Sequence, residues 1–174
     1  RAGRPRDPLH PGATAGMTVQ FVVGATPDSD RTLISTVTDL YAKGGMHHSH
    51  FSAFRPIRET PMEETRATPA LREQRLYQAD HLIRDYGFAP DEIVYDERGN
   101  LPLARDPKVS WALASPDLFP LDVDRASYQE LIRVPGIGRV AAERIVATRR
   151  STLIRGVTDL RRLGVITDRA AGFL

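Results

Sequence analysis

Residues 127–150 read Ser127-Tyr128-Gln129-Glu130-Leu131-Ile132-Arg133-Val134-Pro135-Gly136-Ile137-Gly138-Arg139-Val140-Ala141-Ala142-Glu143-Arg144-Ile145-Val146-Ala147-Thr148-Arg149-Arg150. A short amphipathic helix runs into Pro135-Gly136-Ile137-Gly138, and a second, alanine-rich helix starts at once. Gly136 and Gly138 admit a tight turn whose backbone angles are closed to other residues, and their bare α-carbons let a phosphate approach the main chain. Ile137 is expected to plug inward against Leu131, Val140, Ala141 and Ile145. The first amides of the second helix then point outward unpaired at the positive end of its dipole, which makes an anion site. Arg139 adds charge at that helix start, and Arg144, Arg149 and Arg150 extend the basic surface. The plainer alternatives are a turn between two packed helices and a hairpin that docks a protein.

The order hydrophobic residue, Pro-Gly, hydrophobic residue, Gly, then a helix rich in small residues resembles the helix-hairpin-helix family of DNA-binding motifs. The resemblance implies that Pro135, Gly136, Ile137, Gly138, Arg139, Val140 and Arg144 contact DNA, through phosphates and therefore with little sequence preference. Charge distribution points the same way. The chain carries 24 Lys+Arg against 22 Asp+Glu, a net of +2, but residues 125–174 hold 10 arginines and 4 acids, a net of +6, which leaves 14 − 18 = −4 for residues 1–124. Basicity gathered in one segment suits a polyanionic partner. After Ile154 the pattern partly recurs, with Thr158 and Thr167 as expected helix caps around Gly164-Val165. This second hairpin lacks the Pro-Gly-X-Gly turn and reads as structural.

Upstream, Thr18-Val19-Gln20-Phe21-Val22-Val23-Gly24 reads as a buried strand. Asp28, Ser29 and Asp30 can cap a helix carrying Leu33, Val37, Leu40 and Tyr41 as far as Gly44-Gly45, and a second strand runs from His48 through Phe54 to Pro56. Strand, helix, strand at this spacing is the βαβ unit of a parallel sheet. Two strands are little sheet, so Phe21, Val23, Phe51 and Phe54 are expected to lack packing partners. Thr68-Pro69 starts a helix that reaches Tyr86 and stops at Gly87. A Pro/Gly-punctuated stretch follows, with a short helix at Val109–Ala114 around the single tryptophan.

Gln20 to Thr26, the helix, and Phe51-Ser52-Ala53-Phe54-Arg55-Pro56-Ile57-Arg58-Glu59-Thr60-Pro61-Met62-Glu63 resemble the late strands of the radical S-adenosylmethionine barrel. Joined to the hairpin, they resemble a family of DNA modification or repair radical S-adenosylmethionine proteins over residues 16–174. The resemblance implies S-adenosylmethionine and a [4Fe-4S] cluster for the full-length family, with Gln20 and Gly24 near the cofactor. That cluster needs a three-cysteine loop, and this chain has no cysteine. The chain is therefore expected to be a catalytically inactive C-terminal portion with no cofactor of its own, and its enzymatic status is left open.

The fold class expected is an α/β partial barrel of a few parallel βα units followed by a small all-α helix-hairpin-helix module. Residues 1–16 are expected to be disordered, 17–87 to form the barrel units, 88–124 to link or pack, and 125–174 to form the hairpin module. The expected partner is DNA, with the missing barrel half or a DNA-repair protein as a second. A non-catalytic scaffolding role is the rival. No apolar run is long enough to span a bilayer and no signal peptide opens the chain, so the expected location is cytoplasmic. His47, His48 and His50 read as a surface cluster, and no metal site is expected.

Overall fold

The computed structural model describes residues 17–46 and 48–174. The expected disorder of residues 1–16 and the part of the histidine cluster at His47 lie outside the described residues. The fold is mixed α/β, with seven α-helices and one two-stranded parallel sheet among the described residues. Strands β1 (Thr18–Val23) and β2 (His48–Ala53) pair in register from Thr18 with His48 to Val23 with Ala53. Between them lies α1 (Asp30–Gly44). Its N-cap is Ser29, whose side chain accepts the Thr32 amide at 3.2 Å, and it ends at Gly45 in the left-handed region.

Helix α2 (Ala70–Tyr86) follows, with Leu76, Ala79 and Leu82 buried on one face. Thr68 does not cap it: Pro69 is the N-cap, and the Thr68 amide is donated to the Phe54 carbonyl at 2.9 Å. This helix explains how so small a sheet is held. The Phe51 amide donates to the Tyr77 hydroxyl at 3.0 Å and the Ala53 amide to a Glu73 carboxylate oxygen at 2.7 Å, so two α2 side chains satisfy β2 backbone groups where a further strand would otherwise be needed. Against the expectation that the sheet residues lack partners, Val23 and Phe51 are buried and Phe21 and Phe54 are half-buried.

Residues 88–119 join this core. Phe88, Ile93, Leu101, Trp111 and Ala112 are buried in the same cluster as Val23, Ile34, Phe51 and Leu76. Helix α3 (Pro107–Ala114) carries the tryptophan and is capped by Asp106, whose side chain accepts from the Val109 amide. Two buried carboxylates tie the layers together. Asp30 accepts from Arg72 Nε at 2.7 Å and the Leu101 amide at 2.8 Å, while Asp80 accepts from the Tyr41 hydroxyl at 2.6 Å and Arg84 Nε at 2.9 Å. Burial, reinforced by the Asp80 hydrogen bond, pushes the Tyr41 phenol up to about 12.

The C-terminal unit holds α4 (Tyr128–Leu131), α5 (Arg139–Thr148), α6 (Val157–Arg162) and α7 (Thr167–Ala170). It has its own core of Leu131, Ile132, Val134, Ile137, Ala141, Ala142, Ile145, Val165 and Ala170. The caps expected in its second half do not form. Gly156 precedes α6 without a side-chain cap, and Thr167 sits inside α7 with its hydroxyl taking a hydrogen bond from Arg161 Nε at 2.9 Å. Phe119 packs against both cores, edge-on to Trp111 and Phe173, and the Leu121 amide donates to the Phe173 carbonyl at 2.9 Å. No helix among the described residues is long and apolar enough to cross a membrane.

Candidate nucleic-acid interface

The turn between α4 and α5 is built by a sequence that leaves it little choice. Ser127 and Glu130 cap each other's backbone amides at the start of α4, at 3.2 and 2.6 Å. Pro135 is buried, Gly136 takes φ +83°, and the Ile137 amide closes on the Val134 carbonyl at 3.1 Å. A Cβ on Gly136 would stand 2.4 Å from the Ile166 carbonyl oxygen, so only glycine fits there. The Ile166 amide returns a hydrogen bond to the Gly136 carbonyl at 2.9 Å, and the second turn thus braces the first.

Gly138 differs from the sequence reading. Its φ of −94° and ψ of 172° are ordinary extended backbone, and a Cβ there would meet only the Tyr86 hydroxyl at 3.6 Å. Its glycine is therefore not a steric requirement. What it leaves is a ten-residue helix whose N-cap has no side chain to accept from the first-turn amides, in contrast to Ser29, Asp106 and Ser127 at α1, α3 and α4.

Ile137 is buried against Leu131, Ala141 and Ile145 as expected, but Val140 points outward at 58% exposure. Arg139 is exposed beside it, with a guanidinium nitrogen 3.7 Å from Asp85 at the end of α2. Of the residues expected to contact DNA, Arg139, Val140 and Arg144 are exposed and Gly136 and Gly138 half-buried, whereas Pro135 and Ile137 are buried and shape the turn from within. Arg144 lies farther along α5, where its guanidinium approaches Gly164 of the second turn. Arg149 does not extend the basic surface. Its Nη1 donates to the carbonyls of Val123 and Ala126 at 3.0 and 2.5 Å, fastening the entry to α4. Arg133 is also consumed: it pairs with Glu92 at 2.5 Å and stacks over Phe88 and Trp111, riveting the two cores. That contact holds the Glu92 carboxyl below its usual range.

Two residues that the sequence reading did not single out border the turn. Asp85 offers Arg139 a carboxylate that competes with any phosphate. Lys108, the first residue after the proline that opens α3, donates from Nζ to the Ile137 carbonyl at 2.6 Å and lies over the Tyr86 ring at 4.8 Å. Its signal was compositional, since Lys43 and Lys108 are the only lysines in an arginine-rich chain.

Burial pulls the Lys108 ammonium down to about 7, outweighing the nearby Asp106 carboxylate. The unfolded chain, with an ordinary lysine near 10.5, binds more protons between these values, so folding stability rises with pH across that window. Denaturant midpoints at pH 7 and pH 9 are expected to show a gain on the order of 2 kcal/mol for the wild type. The gain should vanish in Lys108→Met; an equal gain in that variant would assign the effect elsewhere.

Gln20 and Gly24 stand in different local surroundings. Gln20 is exposed and pairs in register with His50, whose ring meets that of His48 edge to face. Gly24 takes φ +85°, and the position of a Cβ there is filled by Thr68 Oγ1 at 2.0 Å, which accounts for the glycine through packing. No group of three or more His, Cys, Asp or Glu among the described residues could hold a metal ion, and a chain without cysteine offers no thiolate to an iron–sulfur cluster.

No protein-family model, curated protein or solved structure matches the chain.

Proposed function

We propose that the Pro135–Gly138 turn and the start of α5 grip the phosphate backbone of a nucleic acid, DNA by the sequence resemblance, as a helix-hairpin-helix does. One observation carries the reading. A helix of ten residues begins at a glycine with no side-chain cap, and an exposed arginine stands at its first position. Its unspent amides and Arg139 together suit an oxyanion approaching from solvent. Exposed Val140 beside them is compatible with a hydrophobic contact to the sugar edge. The net charge of +6 on residues 125–174 supports the same partner, although Arg133 and Arg149 contribute to the fold more than to the surface.

A wider reading rests on the resemblance to radical S-adenosylmethionine proteins and on the parallel βαβ unit. In it, the first half belongs to a barrel whose cluster ligands come from cysteines that this chain does not contain. Exposed Val140 and Ile166 beside the turn favour, as the second reading, a protein-docking hairpin.

Gly138 provides the test, because it separates binding from folding. The full chain is expected to bind a fluorescent duplex with Kd of roughly 10⁻⁴ to 10⁻⁶ M and little sequence preference. In Gly138→Asp the new carboxylate caps α5 itself and repels phosphate. Affinity is expected to fall about tenfold or more, while the melting temperature holds or rises. A folded Gly138→Asp protein that binds duplex as the wild type does would exclude the hairpin-phosphate contact and favour the protein-docking reading.

A further inference from the structure

A cavity of about 260 Å³ opens between α2, the start of α3, the α4–α5 turn and α7, lined by Gln78, His81, Lys108, Gly138 and Arg169 among others. Lys108 is the anomaly in it. An ammonium has three donors; one goes to the Ile137 carbonyl and one side is covered by the Tyr86 ring. The nearest carboxylate, Asp106, acts on it through space and makes no direct hydrogen bond to it. One oxygen takes the Val109 amide at 3.0 Å and the other takes Arg169. From α2 the remaining titratable neighbours are Tyr86 and His81, and His81 is held by Asp85 at 2.7 Å. The α4–α5 turn contributes backbone only. Two cations, Lys108 and Arg169, thus share one carboxylate at the wall of a cavity. Buried charges in proteins are ordinarily paired.

We propose that this cavity seats a phosphate group, with Lys108 as its principal cation and Gly138 at its rim. A phosphate supplies the missing negative charge, and Lys as a compact point charge suits it. The apolar remainder of the wall, including Leu82, Tyr86 and Ile166, accommodates the organic part of a phosphate ester. The source is either the terminal phosphate of a nucleic-acid strand or a free nucleotide. The strand-end source rests on the hairpin reading above, and the free-nucleotide source does not.

With only two lysines, the chain can be read directly by NMR of protein labelled with ¹³C at lysine Cε. Lys43, exposed and paired with Asp39 on α1, serves as the internal control. Addition of a deoxynucleoside 5′-monophosphate, or of inorganic phosphate, is expected to raise the Lys108 titration midpoint by about one unit or more and leave Lys43 unmoved. By linkage, that shift corresponds to roughly tenfold stronger binding to the charged lysine. A Lys108 midpoint that stays put with millimolar nucleotide and with a 5′-phosphorylated oligonucleotide overturns the proposal. If the phosphorylated oligonucleotide shifts Lys108 and its unphosphorylated twin does not, the strand end is the source; if only the mononucleotide does, the ligand is free. Lys108→Met should weaken either interaction at least tenfold at pH 6.5. Duplex binding that is sensitive to Gly138→Asp but accompanied by a silent Lys108 would sink the cavity and leave the hairpin reading intact. A Lys108 response without any duplex binding would do the reverse.

Discussion

Gly136→Ala is expected to destabilise the C-terminal unit by on the order of 3 kcal/mol. Two costs add. A non-glycine residue held at φ +83° pays roughly 1–2 kcal/mol for its left-handed backbone. Its Cβ also arrives 2.4 Å from the Ile166 carbonyl oxygen and 3.2 Å from the Ala170 amide nitrogen, both main-chain atoms that cannot rotate away. Relief requires the second turn to back off, which breaks the Ile166-to-Gly136 hydrogen bond and loosens the packing around Ile137 and Val165. Urea denaturation followed by a probe in residues 125–174 measures the loss. Gly138→Ala is the control, since its backbone is ordinary and its Cβ has room; it is expected to change stability by less than about 1 kcal/mol. Equal effects at the two glycines would mean that the bracing of one turn by the other is unimportant.

Asp30→Ala should cost the first core about as much or more, in the range of roughly 3–5 kcal/mol expected when one partner of a buried ion pair is removed. The carboxylate is fully buried and accepts from Arg72 Nε and the Leu101 amide. Without it, the Arg72 guanidinium keeps only the Asp28 carbonyl at 2.9 Å and Asn100 at 3.4 Å, and the Leu101 amide loses its acceptor. The 96–101 loop, whose Gly99 carbonyl also accepts from the Arg31 amide, would then detach from the N-terminus of α1. For a chain of this size the melting temperature is expected to drop by about 10 °C. Asp28→Ala, on an exposed side chain two residues away, is the matching control, with an expected change within about 0.5 kcal/mol. A melting temperature for Asp30→Ala within 2 °C of wild type would refute the role given to this carboxylate.

The candidate interface was partly legible because its information is local. Pro-Gly-Ile-Gly specifies a turn through backbone sterics within four residues, and the alanine-rich segment after it specifies a helix by period and propensity. The same sequence held a Ser-x-x-Glu capping box at Ser127–Glu130, readable from spacing alone. Charge was less legible than its count suggested. Ten arginines in fifty residues predict a basic surface, yet Arg149 caps carbonyls and Arg133 stacks on two aromatic rings from the other core. No rule of sequence spacing distinguishes an arginine that meets solvent from one that meets Glu92, 41 positions away.

By itself the sequence determined the parallel βαβ order, the stops at Gly45 and Gly87, the α4–α5 turn and the absence of any thiolate, because each depends on residues a few positions apart or on composition alone. Tertiary structure decided the rest. It let Tyr77 and Glu73 stand in for a missing strand, drew residues 88–119 into the first core, and assigned the glycine of Gly24 to packing against Thr68. It also brought Lys108 against the Ile137 carbonyl from a helix 29 residues upstream, beside an Asp106 carboxylate that Arg169 also engages. Such pairings depend on which surfaces meet when the two cores close, and their energies come from desolvation and geometry that exist only in the folded chain.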